Sequence, residues 1–289
     1  MIKASIIIPS YNPKKTIKAC LGSLASQAAK NSAEIIVVDS SNDGSASLIK
    51  AEFPSVKLTR LAKKTMPSVA RNIGVKKARG KIIAFIDSDC IAEKNWLEKM
   101  LSSQESEKIV GGSVGNANPE KLLSWVSYLS EFSEFLPGNP KAFKRFVPTC
   151  NASYAKGLFE KHGFFPEIRA SEDVLFNWKL VKGGEKVFFN PEIKVYHLNK
   201  TSLAAILENQ SMLGFYSAVA RKRENIEGKF FVRFFPLAAF LPFLRLARVF
   251  SRVLFWNQKM LPLFLAASPL ILLAFFYWAF GFLQGVFEG

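Results

Sequence analysis

Apolar residues in the first hundred positions come in short, nearly unbroken runs, at residues 4–8, 34–38 and 82–86. Runs of this length, rich in isoleucine and valine and closed by polar turns, predict strands buried on both faces, as in the middle of a parallel sheet. Between them the period lengthens: Ile17, Leu21 and Leu24 share one helical face, Leu48 and Ile49 follow a turn-rich segment, and a helix from Ser68 stops near Gly80. A short strand over residues 56–60 and a helix over 95–103 complete the alternation. Strand, loop and helix thus succeed one another through residue 103, which predicts right-handed crossovers and an α/β fold with a mainly parallel sheet flanked by helices. Later elements are less regular: strands near 109–113, 146–151, 186–189 and 194–196, and helices over 121–135, 155–161 and from Ser171 to Gly183-Gly184. Pro137-Gly138-Asn139-Pro140 marks a loop of the size that often faces substrate.

Beyond residue 200 the pattern changes. Residues 202–223 read as a long helix ending in Arg221-Lys222-Arg223, and from Phe230 the chain is phenylalanine, leucine and arginine. Arg245, Arg248 and Arg252 fall on one helical face, predicting an interfacial amphipathic segment with its arginines turned to lipid phosphates. Residues 261–287 are almost wholly apolar and exceed the roughly 20 residues that a helix needs to cross a bilayer. Arg252 and Lys259 before this stretch place its start in the cytoplasm. A single crossing is expected; Pro269, Gly281 and Gly285 leave a re-entrant or hairpin arrangement open, and lying at the interface is a further alternative. The expected division is a soluble domain over residues 1–225 and an amphipathic, transmembrane segment over 226–289.

Charge sharpens that division. The chain of 289 residues carries a formal net charge of +16, which suits a polyanionic partner. No nucleic-acid motif is present and the basic residues crowd the hydrophobic segments, so membrane lipid is the expected partner and nucleic acid is not. Cys20, Cys90 and Cys150 are odd in number and not spaced as metal ligands, which reads as reduced, buried thiols. Met1 runs straight into the first strand without a signal peptide, so the soluble domain is expected on the cytoplasmic side of the cell membrane.

The candidate chemistry stands at the strand ends, where open α/β sheets bind ligands. Asp87 and Asp89 follow residues 82–86, and a turn at Ser88 can bring them to one side as oxygen ligands for Mg²⁺ or Mn²⁺. Asp39 closes the second strand and can accept a hydrogen bond from a base N–H. Pro9, Tyr11 and Asn12 form the loop after the first strand. Asn12 and Pro13 also suit a helix N-cap and first turn. Arg71 can bridge phosphate oxygens or sit on the surface. Glu172 and Asp173 suit the first turn of the helix that Ser171 caps, and His197 follows a strand, where it is either structural or a ligand or phosphate contact. There is no Gly-x-Gly-x-x-Gly after the first strand and no Walker loop, which disfavours dinucleotide and P-loop chemistry.

Taken in order, Pro9-Ser10-Tyr11-Asn12, Val37-Val38-Asp39, Ala70-Arg71-Asn72-Ile73-Gly74, Asp87-Ser88-Asp89, Glu172-Asp173 and Val195-Tyr196-His197 resemble glycosyltransferase family 2 with the GT-A fold, over about residues 4–200. The resemblance implies a hexosyltransferase-class enzyme using a UDP- or GDP-linked nucleotide sugar. Pro9, Tyr11 and Asn12 would line its nucleotide pocket, with Asp39 on the base and Arg71 near the base or diphosphate. Asp87 would approach the ribose or the Mn²⁺ or Mg²⁺ ion, and Asp89 would bind that ion. Asp173 would be the catalytic base, Glu172 its neighbour, and His197 a helper at the metal or diphosphate. Two departures stand out. No second aspartate stands immediately after Asp39, and the Gln-x-x-Arg-Trp motif of processive synthases is missing, which points to transfer of one sugar. A membrane anchor suits a lipid-linked or envelope-polysaccharide acceptor. The alternatives are a membrane-bound nucleotide-sugar-binding protein without catalysis, or a sugar nucleotidyltransferase.

Overall fold

A computed structural model describes residues 1–288. The chain forms two compact units: Met1–Gly115 with Lys141–His197, and Asn116–Pro140 with the chain from Leu198 on. In order, the first stretch carries β1 (Ala4–Ser10), α1 (Ile17–Lys30), β2 (Ala33–Asp39), α2 (Ser45–Glu52), β3 (Lys57–Arg60) and α3 (Pro67–Lys77). Then come β4 (Ile82–Ile86), β5 (Cys90–Ala92), α4 (Trp96–Ser103) and β6 (Ile109–Asn116). After α5 (Leu122–Phe132) the chain returns with β7 (Ala142–Lys144), β8 (Asn151–Ala155), α6 (Gly157–His162), α7 (Glu172–Lys182) and β9 (Val187–His197). It ends in α8 (Leu203–Arg223), α9 (Phe230–Arg233), α10 (Leu241–Trp256) and α11 (Leu261–Glu288).

The sheet runs β3-β2-β1-β4-β8-β6-β9-β5, with β7 paired to β9. β3, β2, β1 and β4 are parallel, as the strand–helix alternation requires. The pairings of β8 with β4 and β6, and of β9 with β5 and β7, are antiparallel, so the sheet is mixed rather than mainly parallel. β1 is buried along its whole length, which explains its unbroken apolar pattern. The two strand-like stretches near 187 and 195 are one strand, and the piece expected at 146–151 begins only at Asn151.

In the second unit α8 and α11 run side by side. A Cβ on Gly214 would strike the Trp278 carbonyl, and one on Gly281 would strike the Ser211 carbonyl, so glycine sets how closely the two backbones approach. α8 therefore packs within this unit, whereas the 225/226 boundary read from sequence grouped it with the sheet. The arginine face of α10 is also reversed from expectation. The Arg245 guanidinium lies 4.3 Å from the Trp278 ring centroid and donates to the Ser130 carbonyl at 3.4 Å. Arg252 donates to Ser133 Oγ at 3.0 Å and to Glu134 at 3.3 Å, and only Arg248 of the three stays exposed. Residues 258–288 are long and apolar enough to cross a membrane, by length and composition.

Candidate active site

The site is built from strand ends in the first unit. Parallel register brings the ends of β1, β2 and β3 level, with Ser10 opposite Asp39 and Asp39 opposite Arg60. Asp39 is fully buried. It accepts from Ser10 Oγ at 2.7 Å, from the Ser41 hydroxyl and from Arg60, whose other Nη donates to the Ser41 carbonyl at 2.7 Å. Arg60 is the residue that the sequence left unremarked. Its position at the end of the strand beside Asp39 was the available signal.

Above this pair, the loops after β1 and β2 are joined. Asn12 N–H donates to Ser41 Oγ at 2.7 Å, Asn42 N–H to Asn12 Oδ1 at 3.0 Å, and Lys14 N–H to Asp43 at 2.8 Å. Asn12 therefore does not cap α1, which begins only at Ile17; its backbone is left-handed, with φ 51°. Pro9 is buried beneath the loop, and the exposed Tyr11 ring lies 4.6 Å from Lys64 Nζ.

Arg71 is the hub. Its α3 neighbour Asn72 brackets the Phe165 backbone, donating to its carbonyl at 2.9 Å and accepting from its N–H at 3.1 Å, while Ser68 donates to the Ile168 carbonyl at 3.0 Å. These bonds fix the segment that leads into α7. Ser171 stands at the helix's N-cap position with φ 65°, as located from sequence, but its hydroxyl makes no capping bond. From that start Glu172 and Asp173 turn inward. Arg71 donates to Glu172 Oε1 and to Asp87 Oδ1, each at 2.6 Å, so the two acidic pairs, 85 residues apart in sequence, meet on one guanidinium. Its Nε–H, also buried, has no acceptor among the described residues.

Electrostatics at this cluster oppose one another. Burial by itself lowers the Arg71 pKa, and Asp87 and Glu172 outweigh it, so the guanidinium stays charged. Burial raises the Glu172 carboxyl above its ordinary range against the pull of Arg71. It also raises Asp173, against hydrogen bonds from the Val174 and Thr149 backbone and the charge of Arg71. A first-turn carboxylate ordinarily has its charged form favoured by the helix dipole. Here burial outweighs it. On the same helix Phe176 packs in an aromatic group, with Phe165 4.7 Å from Phe176 and 5.4 Å from Phe85 by ring centroids. Beside it, Asn177 donates to Tyr154 Oη at 3.0 Å and to the Asp173 carbonyl at 2.8 Å.

A candidate cation position adjoins the hub. Cys90 pairs with His197 across β5 and β9, which brings His197 Nε2 to 3.6 Å from Asp89 Oδ1. Ligand atoms of Asp89, Cys90 and His197 lie within 4.8 Å of one another. A carboxylate and an imidazole fit Mn²⁺, or Mg²⁺ less closely. Burial raises the Cys90 thiol well above its usual pKa and so disfavours the thiolate. Asp87 is outside that trio, its Oδ1 being held by Arg71.

This mixed sheet, with acidic residues gathered at the ends of its parallel strands, has the architecture of a GT-A glycosyltransferase. Residues 5–163 match the family model for glycosyl transferase family 2, and the chain belongs to that family, whose members are transferase enzymes. It is 33% identical to glycosyltransferase AglE of Haloferax volcanii over 197 residues, covering 65% of this chain and 64% of that one. Among solved structures it resembles the mannosyltransferase PcManGT of Pyrobaculum calidifontis in complex with GDP-Man and Mn²⁺. The TM-score is 0.64 at 17% identity, over 99% of this chain and 87% of the other. The Staphylococcus aureus TarS structure with UDP-GlcNAc aligns with a TM-score of 0.56 at 21% identity, over 94% and 81%. At those identities the structural likeness is one of fold. The chain spans just under two thirds of the length of AglE and about a third of TarS, a poly(ribitol-phosphate) β-N-acetylglucosaminyltransferase to which it is 26% identical.

Proposed function

We propose that the protein transfers a single sugar from a UDP- or GDP-linked donor to an acceptor hydroxyl, with inversion, at the cytoplasmic face of a membrane. Arg71, joining Asp87 to Glu172, is the observation that carries this proposal, because it puts the residue next to Glu172 beside the strand ends where a nucleotide sugar would lie. The exposed Tyr11 ring offers a stacking face for the base, over Pro9 and the joined loops of Asn12 and Ser41. Asp39, held by Arg60, forms the floor below the base and is its expected hydrogen-bond acceptor.

Asp173 is the proposed base. Its raised pKa matches the need for a carboxylate that takes the acceptor hydroxyl's proton as the oxygen attacks the sugar carbon and the nucleoside diphosphate leaves. Arg71 is a positioning residue: it holds Asp87 and Glu172. Asp89 and His197 would hold Mn²⁺ or Mg²⁺, with Asp87 the further carboxylate at that end of the cleft, and the ion would supply positive charge for the departing diphosphate. Names among the relatives, including TarS and succinoglycan biosynthesis protein ExoO, support a polysaccharide acceptor.

The test is the full-length protein with Mn²⁺ against a panel of UDP-, GDP- and dTDP-sugars, following nucleoside diphosphate release. One donor class is expected to turn over, and Asp89→Ala to abolish its turnover. Undiminished turnover in Asp89→Ala, or none with any donor and either cation, removes the proposal.

A further inference from the structure

The second unit carries an outward apolar surface that the transferase chemistry does not use. On α10 the exposed residues Phe243, Leu244, Ala247, Phe250 and Phe255 recur at helical spacing, while Arg245 and Arg252 point inward. That is the reverse of a helix facing water. The exposed side of α11 continues the surface. Ring pairs join the two from end to end: Phe250 with Phe264 at 5.8 Å, Phe243 with Phe276 at 5.6 Å, and Phe235 with Phe287 at 5.0 Å. The segment from Phe235 through α10 therefore lies antiparallel along nearly the full length of α11.

Both ends of α11 are tied to polar chain. Before its first turn, Asn257 accepts from Gly138 N–H at 3.1 Å and donates to Asn139 Oδ1 at 3.0 Å, two to three residues before Lys141, where the chain of the first unit resumes. At its far end Lys222, in the exposed stretch at the end of α8, donates to the Val286 carbonyl at 3.1 Å. A helix crossing a bilayer separates its ends by the roughly 30 Å hydrocarbon core. Here that would carry either the 138–139 loop or the Arg221-Lys222-Arg223 end of α8 to the other side. Lipid charge gives a second argument. Residues 229–287 contain Lys229, Arg233, Arg245, Arg248, Arg252 and Lys259 and no acidic residue. Lys229, Arg233, Arg248 and Lys259 are exposed around the apolar face.

We infer that α10 and α11 do not cross the bilayer but lie side by side in one leaflet, their shared phenylalanine face in the acyl region and their exposed basic residues at anionic phospholipid headgroups. This deepens the membrane part of the proposed function and is independent of the sugar chemistry. A surface of this kind combines apolar insertion with electrostatic attraction, and its binding weakens as salt rises.

The experiment uses the full chain, whose own three cysteines are buried. Flotation with vesicles of phosphatidylcholine containing phosphatidylglycerol is expected to carry the protein up, less so at high salt. Failure to float would overturn membrane attachment itself. Glu105→Cys in the first unit, Lys259→Cys and Glu288→Cys are then treated with an impermeant maleimide in right-side-out and inverted membrane vesicles. Modification of all three in the same preparation is expected. Reaction of Lys259→Cys or Glu288→Cys only in the preparation where Glu105→Cys is silent would overturn the in-plane arrangement and leave membrane attachment intact. Phe243→Ser with Phe280→Ser, both at exposed positions, should lower vesicle binding at least about tenfold with unchanged circular dichroism. Undiminished binding would remove this face as the contact.

Discussion

In the sheet unit, Arg71 is buried because two carboxylates meet it; in the helical unit, Arg245 is half-buried against a tryptophan, a phenylalanine and a carbonyl, while phenylalanines face outward. The same side chain is thus held in two ways. Around Arg71 every charge needs its partner, and losing one strands the others. Around Arg245 the contacts are ring faces and one backbone oxygen, which a long apolar side chain can replace. The difference teaches that the first unit uses a buried charge to assemble a site, and the second uses an arginine to cement a helical bundle.

Four substitutions break or sharpen this contrast. The largest effect is expected for Asp173→Asn, with transfer falling about 10²–10⁴-fold at little change in donor KM, since only proton removal is lost. In the unaltered enzyme the raised pKa of Asp173 places the acid limb of kcat/KM above the ordinary aspartate range, with activity falling as pH drops through that limb. A limb at the ordinary value, or a rate close to that of the unaltered enzyme in Asp173→Asn, would remove Asp173 from the base role. Next comes Arg71→Met, expected to cost about 3–5 kcal/mol in denaturant unfolding because Asp87 and Glu172 are left facing each other unpaired.

Glu34 gives a third, acid-dependent effect. Burial alone would raise its carboxyl, but hydrogen bonds from Lys57, Ser5 and the Arg79 N–H lower it from 4.5 to about 2. A depressed carboxylate stabilises the fold above its unfolded pKa, and that share disappears as pH falls from about 4.5 towards 2. With Lys57 partly solvated, the share is about 2 kcal/mol, and Glu34→Gln should flatten the acid slope of unfolding midpoints over that interval. The smallest effect is expected for Arg245→Met, within about 1 kcal/mol under the same denaturant and detergent. If Arg245→Met costs as much as Arg71→Met, the two arginines are not held differently.

Of the parallel half of the sheet, β1, β2 and β4 were legible in the sequence because each is short, apolar on both faces and closed by a polar turn that marks its end. Asp39 and Asp87 could be placed for that reason, and the acidic pair after Ser171 by its helix-start pattern. Pairing direction beyond residue 103 could not, since Asn151–Ala155 alternates small and polar residues with no strong run to announce it. The Arg60–Asp39 bond depends on register between two strands, which single-strand patterns do not specify. Asn12 had the composition of a helix cap, yet its side chain accepts from the loop after β2. Most instructive is α10. Its period put three arginines on one side, of which Arg245 and Arg252 turn inward and Arg248 stays exposed; period does not say which side of a helix is the interior. That sign is decided by what the helix packs against, here Ser130, Ser133 and Trp278.

The way the chain is threaded has a practical consequence for anyone trimming it. Because Asn116–Pro140 leaves the sheet to join the helices and Lys141 re-enters it, no single cut frees one unit from the other. A truncation after residue 225 keeps α5 and α8 but strips away α11, laying bare the backbone of Gly214 and the surface that Trp278 and Phe282 cover. Such a fragment should be poorly soluble and clump when expressed. Full-length protein extracted in mild detergent is the better starting material for crystallisation or enzymology.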